Sequence, residues 1–160
     1  SYTEEEHAYA DALAKTYPGS DALSGVAANN DPVLAEEVRQ MREQNGHAMN
    51  AFLAPLYQGD AFKAGSTDVG DVSWVVPTGQ VYTSCFPAGT ALHSWVAVAQ
   101  GKSSIAHKGM LAAAKVMAYV GAELLLNPEL IEKAKADWKE ELDGETYPNP
   151  LPADLKPSIW

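Results

Sequence analysis

The sequence predicts an α/β or α+β layered domain: short strands flanked by helices. Three observations carry the expectation. Helix-forming, well-capped segments open the chain, a β-branched and aromatic stretch fills its middle, and two strong helices close it. With 160 residues, 46% of them hydrophobic, the chain is long enough for one folded domain over residues 1–160.

The first helix starts at "SYTEEEHAYADALAKTY". Thr3 is a good N-cap, and Glu6 three residues on completes a capping box. Three glutamates in the first turn suit the positive end of the helix dipole. Ala8, Ala12, Tyr9 and Leu13 are the expected buried stripe, and Tyr17-Pro18-Gly19 ends it. Residues 19–30, rich in Gly, Ser, Asn and Ala, read as a loop. Asp31 then caps a second helix with Pro32 at its first position. Val33, Leu34, Val38 and Met41 fall near helical spacing. Asn45-Gly46 interrupts it, and residues 47–57 are expected to form a further helical piece.

The character changes after Lys63. Val72, Trp74 and Val76 alternate with Ser73 and Val75, and "VYTSCF" (81–86) is β-branched and aromatic. These read as one or two short strands parted by a Pro77-Thr78-Gly79 turn, with "WVAVA" (95–99) as a third extended piece. Ser103 or Ser104 then caps the strongest helix. From Gly109 to Leu126 only Lys115 and Glu123 are charged, so burial on most sides is expected. A membrane span competes, but Lys115 in mid-segment and the many alanines argue against it. Asn127-Pro128 breaks the helix and Pro128 starts the next, with Glu132 set against Lys135 or Lys139. The tail, 144–160, carries four of the ten prolines and reads as an extended strap.

Charge narrows the function. Twenty-one acidic against eleven basic residues give a net charge of −10, which disfavours nucleic acid and anionic lipid surfaces alike. The single cysteine, Cys85, allows no disulfide within the chain and no CxxC clip. It reads as a small buried hydrophobe, and a reducing, cytoplasmic setting is expected. The acidic N-terminus has no apolar run, so no signal peptide is expected there. The sequence opens on serine, which leaves open that it is part of something longer.

One-segment catalytic motifs are missing. There is no GxxxxGK[ST], GxSxG or HExxH. There is no HxD either: His7, His47, His93 and His107 are followed two residues on by Tyr, Met, Trp and Gly. The doublets Glu4-Glu5, Glu36-Glu37 and Glu140-Glu141 read as solvated helix faces. His7 reads as a helix-surface residue and His47 as a loop-adjacent one. His107, in the first turn of the apolar helix, is expected neutral, since a cation there would oppose the dipole. His93 differs. It follows Gly89-Thr90-Ala91-Leu92, beyond a candidate strand end, where ligands tend to bind. The segment "GSTDVGDVSW" (65–74) is a second candidate, whose Asp68 and Asp71 could cap a helix or orient a histidine.

In combination, "AGSTDVGDVSWVVP", "GTALHSW", "GKSSIAHKGMLAAAKVMA" and "NPELIEKAKADW" resemble the C-terminal part of aminobenzoyl-glutamate utilization protein B-like amidohydrolases. These belong to the aminoacylase and carboxypeptidase-like two-metal family. The likeness is strongest over residues 64–140, and the first 60 agree loosely.

The resemblance implies the C-terminal half of a zinc-peptidase-like catalytic domain. It implies a metal-dependent amidohydrolase cleaving a small amide such as aminobenzoyl-glutamate, with zinc or manganese in the complete enzyme. His93 matches the last metal ligand. Gly65, Ser66, Thr67 and Asp68 match the loop lining the substrate pocket, and His107 is a further lining candidate. Many relatives carry an acidic residue soon after the last histidine, whereas Ser94, Trp95 and Val96 follow here. The other ligands and the acidic base would lie on an N-terminal half outside this sequence. This chain is therefore expected to lack a catalytic residue of its own, to hydrolyse nothing alone, and to pair with that half or with itself. The alternative is a non-catalytic interaction or structural module derived from the same fold.

Overall fold

The computed structural model describes residues 1–17, 32–56, 67–152 and 154–156. Six helices account for its regular structure: α1 (Glu4–Ala14), α2 (Pro32–Asn45), α3 (Val69–Ser73), α4 (Trp95–Gln100), α5 (Ser104–Leu126) and α6 (Pro128–Leu142). The described residues contain no strand, so the expected α/β fold is corrected to an all-helical one.

The expected strands fail for different reasons. Val72, Trp74 and Val76 alternate as a strand would, but the amides of Val75 and Val76 both bond the Val72 carbonyl, closing a helical turn at the end of α3. The "WVAVA" piece is helix α4, because the Ser94 hydroxyl accepts from the Ala97 amide and nucleates it. Residues 81–85 lack helix or strand and have no ladder partner among the described residues. That stretch is held from the side instead. Thr83 Oγ1 donates to the Gly109 carbonyl at 3.0 Å and Tyr2 Oη to the Ser84 carbonyl at 2.9 Å. A strand needs a neighbour, and β-propensity without one does not make a ladder.

Two helical expectations are corrected as well. Residues 47–56 carry no helix, and Asn45 captures the backbone of 47–51. Its amide donates to the carbonyls of His47 and Met49, and its side-chain carbonyl accepts from the Ala51 amide. Helix α5 is not buried on most sides: only Ile105, Ala106 and Gly109 are enclosed. On α1 the buried residue is Ala10, while Ala8, Tyr9 and Ala12 are exposed and Leu13 half-buried. The expected cap Asp31 and the whole loop at 19–30 lie outside the described residues. The Thr3–Glu6 capping box, the Ser103 hydroxyl accepting from the Ala106 amide, and Pro128 opening α6 all stand as expected.

The chain divides into two compact units. The first comprises Ser1–Lys63 with Val81–Tyr119, and the second Ala64–Gln80 with Val120–Trp160. The first holds two small cores. Leu34, Ala35 and Val38 of α2 pack with Phe52 and Ala54. Ala10, Met49 and Ile105 pack with Tyr2 and Ala48, joining α1 to the start of α5. In the second unit Trp138 of α6 donates its indole N–H to the Ser73 carbonyl at 2.8 Å. Residues 145–150 there carry no helix or strand.

Glu6 does two jobs in the first unit. It caps its own helix through the Thr3 amide, and it takes the Lys108 ammonium and the Ser104 hydroxyl of α5. These partners, Lys108 foremost, lower its carboxyl from an ordinary 4.5 to about 2. A depressed folded value means the stabilisation is complete above pH 4.5 and is lost as pH falls from 4.5 toward 2. Glu6→Gln is therefore expected to flatten the acid limb of a stability-versus-pH curve in that window. An unchanged acid limb in urea titrations would show the latch to be idle.

Candidate functional site

The loop carrying His93 is anchored at its base. Gly89 adopts φ 81, a left-handed conformation that favours glycine. Thr90 is buried, its hydroxyl donating to the Pro87 carbonyl at 2.8 Å and meeting Tyr17 Oη at 2.8 Å. The Ala88 amide bonds the Ala48 carbonyl at 2.7 Å. Beyond this base Leu92 is 67% exposed, His93 is exposed, and Ser94 caps α4. His93 thus sits immediately before a helix cap, on a loop whose base is hydrogen-bonded at Ala88 and Thr90. Its imidazole bonds none of the described residues and faces solvent.

The other expected site residues fall elsewhere. His107 is exposed on the first turn of α5, in the same unit as His93. Thr67 and Asp68 lead into α3 and belong to the second unit. Thr67 Oγ1 accepts from the Val69 amide, and the Asp68 side chain makes no capping bond. Asp71 lies beside Tyr147, whose hydroxyl is pushed up by burial and by that carboxylate. Gly65 and Ser66 lie outside the described residues. Downstream of Thr67 the second unit has an open cleft of about 690 Å³ lined by Ser73, Trp74, Thr78, Asp137, Trp138 and Glu141.

The donor set can be tested against the implied metal. No group of three or more His, Cys, Asp or Glu among the described residues is placed to hold an ion. His93 offers one neutral donor, and a zinc or manganese centre needs several. The described residues do not make a complete centre.

Sequence reading missed one cluster. The rings of His7 and His47 stack with centroids 3.9 Å apart and planes at 24°. Asp11 fixes the second ring, accepting at 2.9 Å from His47 Nδ1 and at 2.6 Å from the Ala48 amide. Those two contacts, the backbone one first, hold the Asp11 carboxyl below its ordinary range. His7 Nδ1 is buried with no partner among the described residues, and Tyr2 meets that ring edge-on at 5.7 Å. His7 and Asp11 share a helix face at i, i+4, which was readable. The pairing with a residue forty positions later was not. With its rings stacked, and with no group of three such residues among the described ones placed to hold an ion, the cluster ties α1 to the segment after α2.

Comparison with known proteins adds one likeness. The chain is 37% identical, over 163 aligned residues and 98% of its length, to a subunit of the p-aminobenzoyl-glutamate hydrolase of Escherichia coli (strain K12). The expected family resemblance holds. The chain spans only 33% of that relative's length. No protein-family profile matches the chain, and no solved structure matches it.

Proposed function

We propose that this chain is part of a metal-dependent amidohydrolase acting on an amide such as that of aminobenzoyl-glutamate, and that it works only together with further polypeptide. The carrying observation is the 37% identity along nearly the whole chain to one third of a p-aminobenzoyl-glutamate hydrolase subunit. In this reading His93 gives one neutral nitrogen to a zinc or manganese ion whose other donors come from the rest of the polypeptide. Its place favours that role, since it is exposed and borne on a loop pinned by Thr90 and Ala88. Thr67, Asp68 and His107 are the pocket-lining candidates, and a cytoplasmic setting suits the free Cys85. The second reading is a non-catalytic binding module, which the absence of a donor cluster among the described residues favours.

The two readings part in a reconstitution. The chain is mixed with polypeptide covering the other two thirds of the relative's length and with zinc or manganese, and release of p-aminobenzoate is followed. Neither part alone is expected to hydrolyse p-aminobenzoyl-glutamate, while the mixture does. A mixture that associates but stays inactive supports the binding module.

A further inference from the structure

Helix α5 has 23 residues and is apolar enough, by length and composition, to cross a membrane, yet only 6% of its most apolar window is buried. Within the first unit its enclosed side is Ile105, Ala106 and Gly109. Ile105 packs into the core with Ala10 and Met49. Beyond Gly109 none of its residues is buried, Val116 and Tyr119 included, and the side away from the core contact carries the methionines. Met110 is 58% exposed, Leu111 54% and Met117 68%. At about 100° per residue these three fall with Ala114 and Ala118 in a sector roughly 120° wide. A contiguous apolar stripe of that kind on a folded unit marks an interaction surface.

Three occupants compete. A bilayer is disfavoured, because the first turns of α5 are locked into a folded core by Ile105 and Gly109, and Lys115 flanks the stripe. A second copy would bring two chains of net charge −10 together. The remaining occupant is polypeptide this sequence does not include: the chain spans 33% of its relative, so about two thirds of that protein has no counterpart here. We propose that the α5 face formed by Met110, Leu111, Ala114, Met117 and Ala118 is the seat of the polypeptide that completes the catalytic domain. The inference rests on the amidohydrolase reading above. The flexible methionines suit such a seat, since they adapt to a partner surface without changing the backbone.

The test is binding between this chain and polypeptide covering the remaining two thirds, by titration calorimetry, with hydrolysis scored in the same mixtures. Met110→Glu with Met117→Glu is expected to weaken association by about 100-fold, as two buried anchors would. Circular dichroism should be unchanged, because both side chains are exposed in the free chain. Should the double variant unfold, Met117→Gln alone is expected to weaken binding about 10-fold. Wild-type affinity in a folded variant overturns the proposal. So does a wild-type dimer that the variant dissociates, or flotation of the wild type with zwitterionic vesicles that the variant abolishes. Failure is separable from that of the functional reading. A variant that binds and hydrolyses normally sinks the surface alone, whereas a wild-type mixture that binds without hydrolysis sinks the function alone.

Discussion

Gly109→Ala is expected to destabilise the first unit by at least about 2 kcal/mol, the cost of forcing a methyl into a packed contact. A Cβ at that position would stand 2.5 Å from Cys85 Sγ, 2.6 Å from the Ser84 carbonyl oxygen and 3.0 Å from the Cys85 Cα. Two of those three atoms are backbone, so no side chain can swing away to make room. The segment must shift, and its shift breaks the Thr83–Gly109 and Tyr2–Ser84 hydrogen bonds that hold it. Thermal denaturation should show a midpoint lower by roughly 5–10 °C. Gly121 on the same helix is the internal control, since a Cβ there meets nothing within 4 Å. Gly121→Ala should stabilise the chain by about 0.5–1 kcal/mol through helix propensity alone. Equal midpoints for the two variants would mean that the 81–85 segment does not press on α5.

The second large effect is chemical. In the reconstituted mixture, His93→Ala is expected to cut hydrolysis of p-aminobenzoyl-glutamate by more than about 100-fold, because losing a ligand should exceed the 10–100-fold cost of losing an outer-shell partner. Bound metal per complex, measured by mass spectrometry after gel filtration, should fall with it. The substitution should leave the fold intact, since the imidazole bonds none of the described residues and the loop is anchored by Thr90 instead. His107→Ala should leave metal content unchanged. A His93→Ala complex with full metal and full activity would remove that residue from the site.

Much of the helical skeleton was legible in the sequence because its signals are local. Thr3 with Glu6, Ser103, and Pro128 after Asn127 each act within one turn, and each does so in the structure. The middle of the chain was misread because strand formation is not local. Val72, Trp74, Val76 and residues 81–86 have the right side chains, but no neighbouring backbone completes a ladder among the described residues. Ser94 was the overlooked signal, a cap that turns 95–99 into helix. The apolar run of α5 was read as buried, but composition says only that a surface is costly to leave wet, not that this chain supplies its cover. His93 was singled out by a resemblance and by a strand end that the described residues do not contain. The His7–His47 stack was not, because nothing in either neighbourhood points to the other.

The contacts of the N-terminus also constrain when the first unit can fold. Tyr2 reaches Ser84 across 82 positions, Glu6 reaches Ser104 across 98 and Lys108 across 102, and Lys108 bonds the Ser1 carbonyl across 107. On the ribosome α1 emerges well before its partners at residues 84–108. The capping box can hold the isolated helix only marginally, since short helices are unstable in water. Closing loops of that length is slow relative to local steps. Helix α1 therefore waits, undocked and open to proteases, until Lys108 has cleared the exit tunnel.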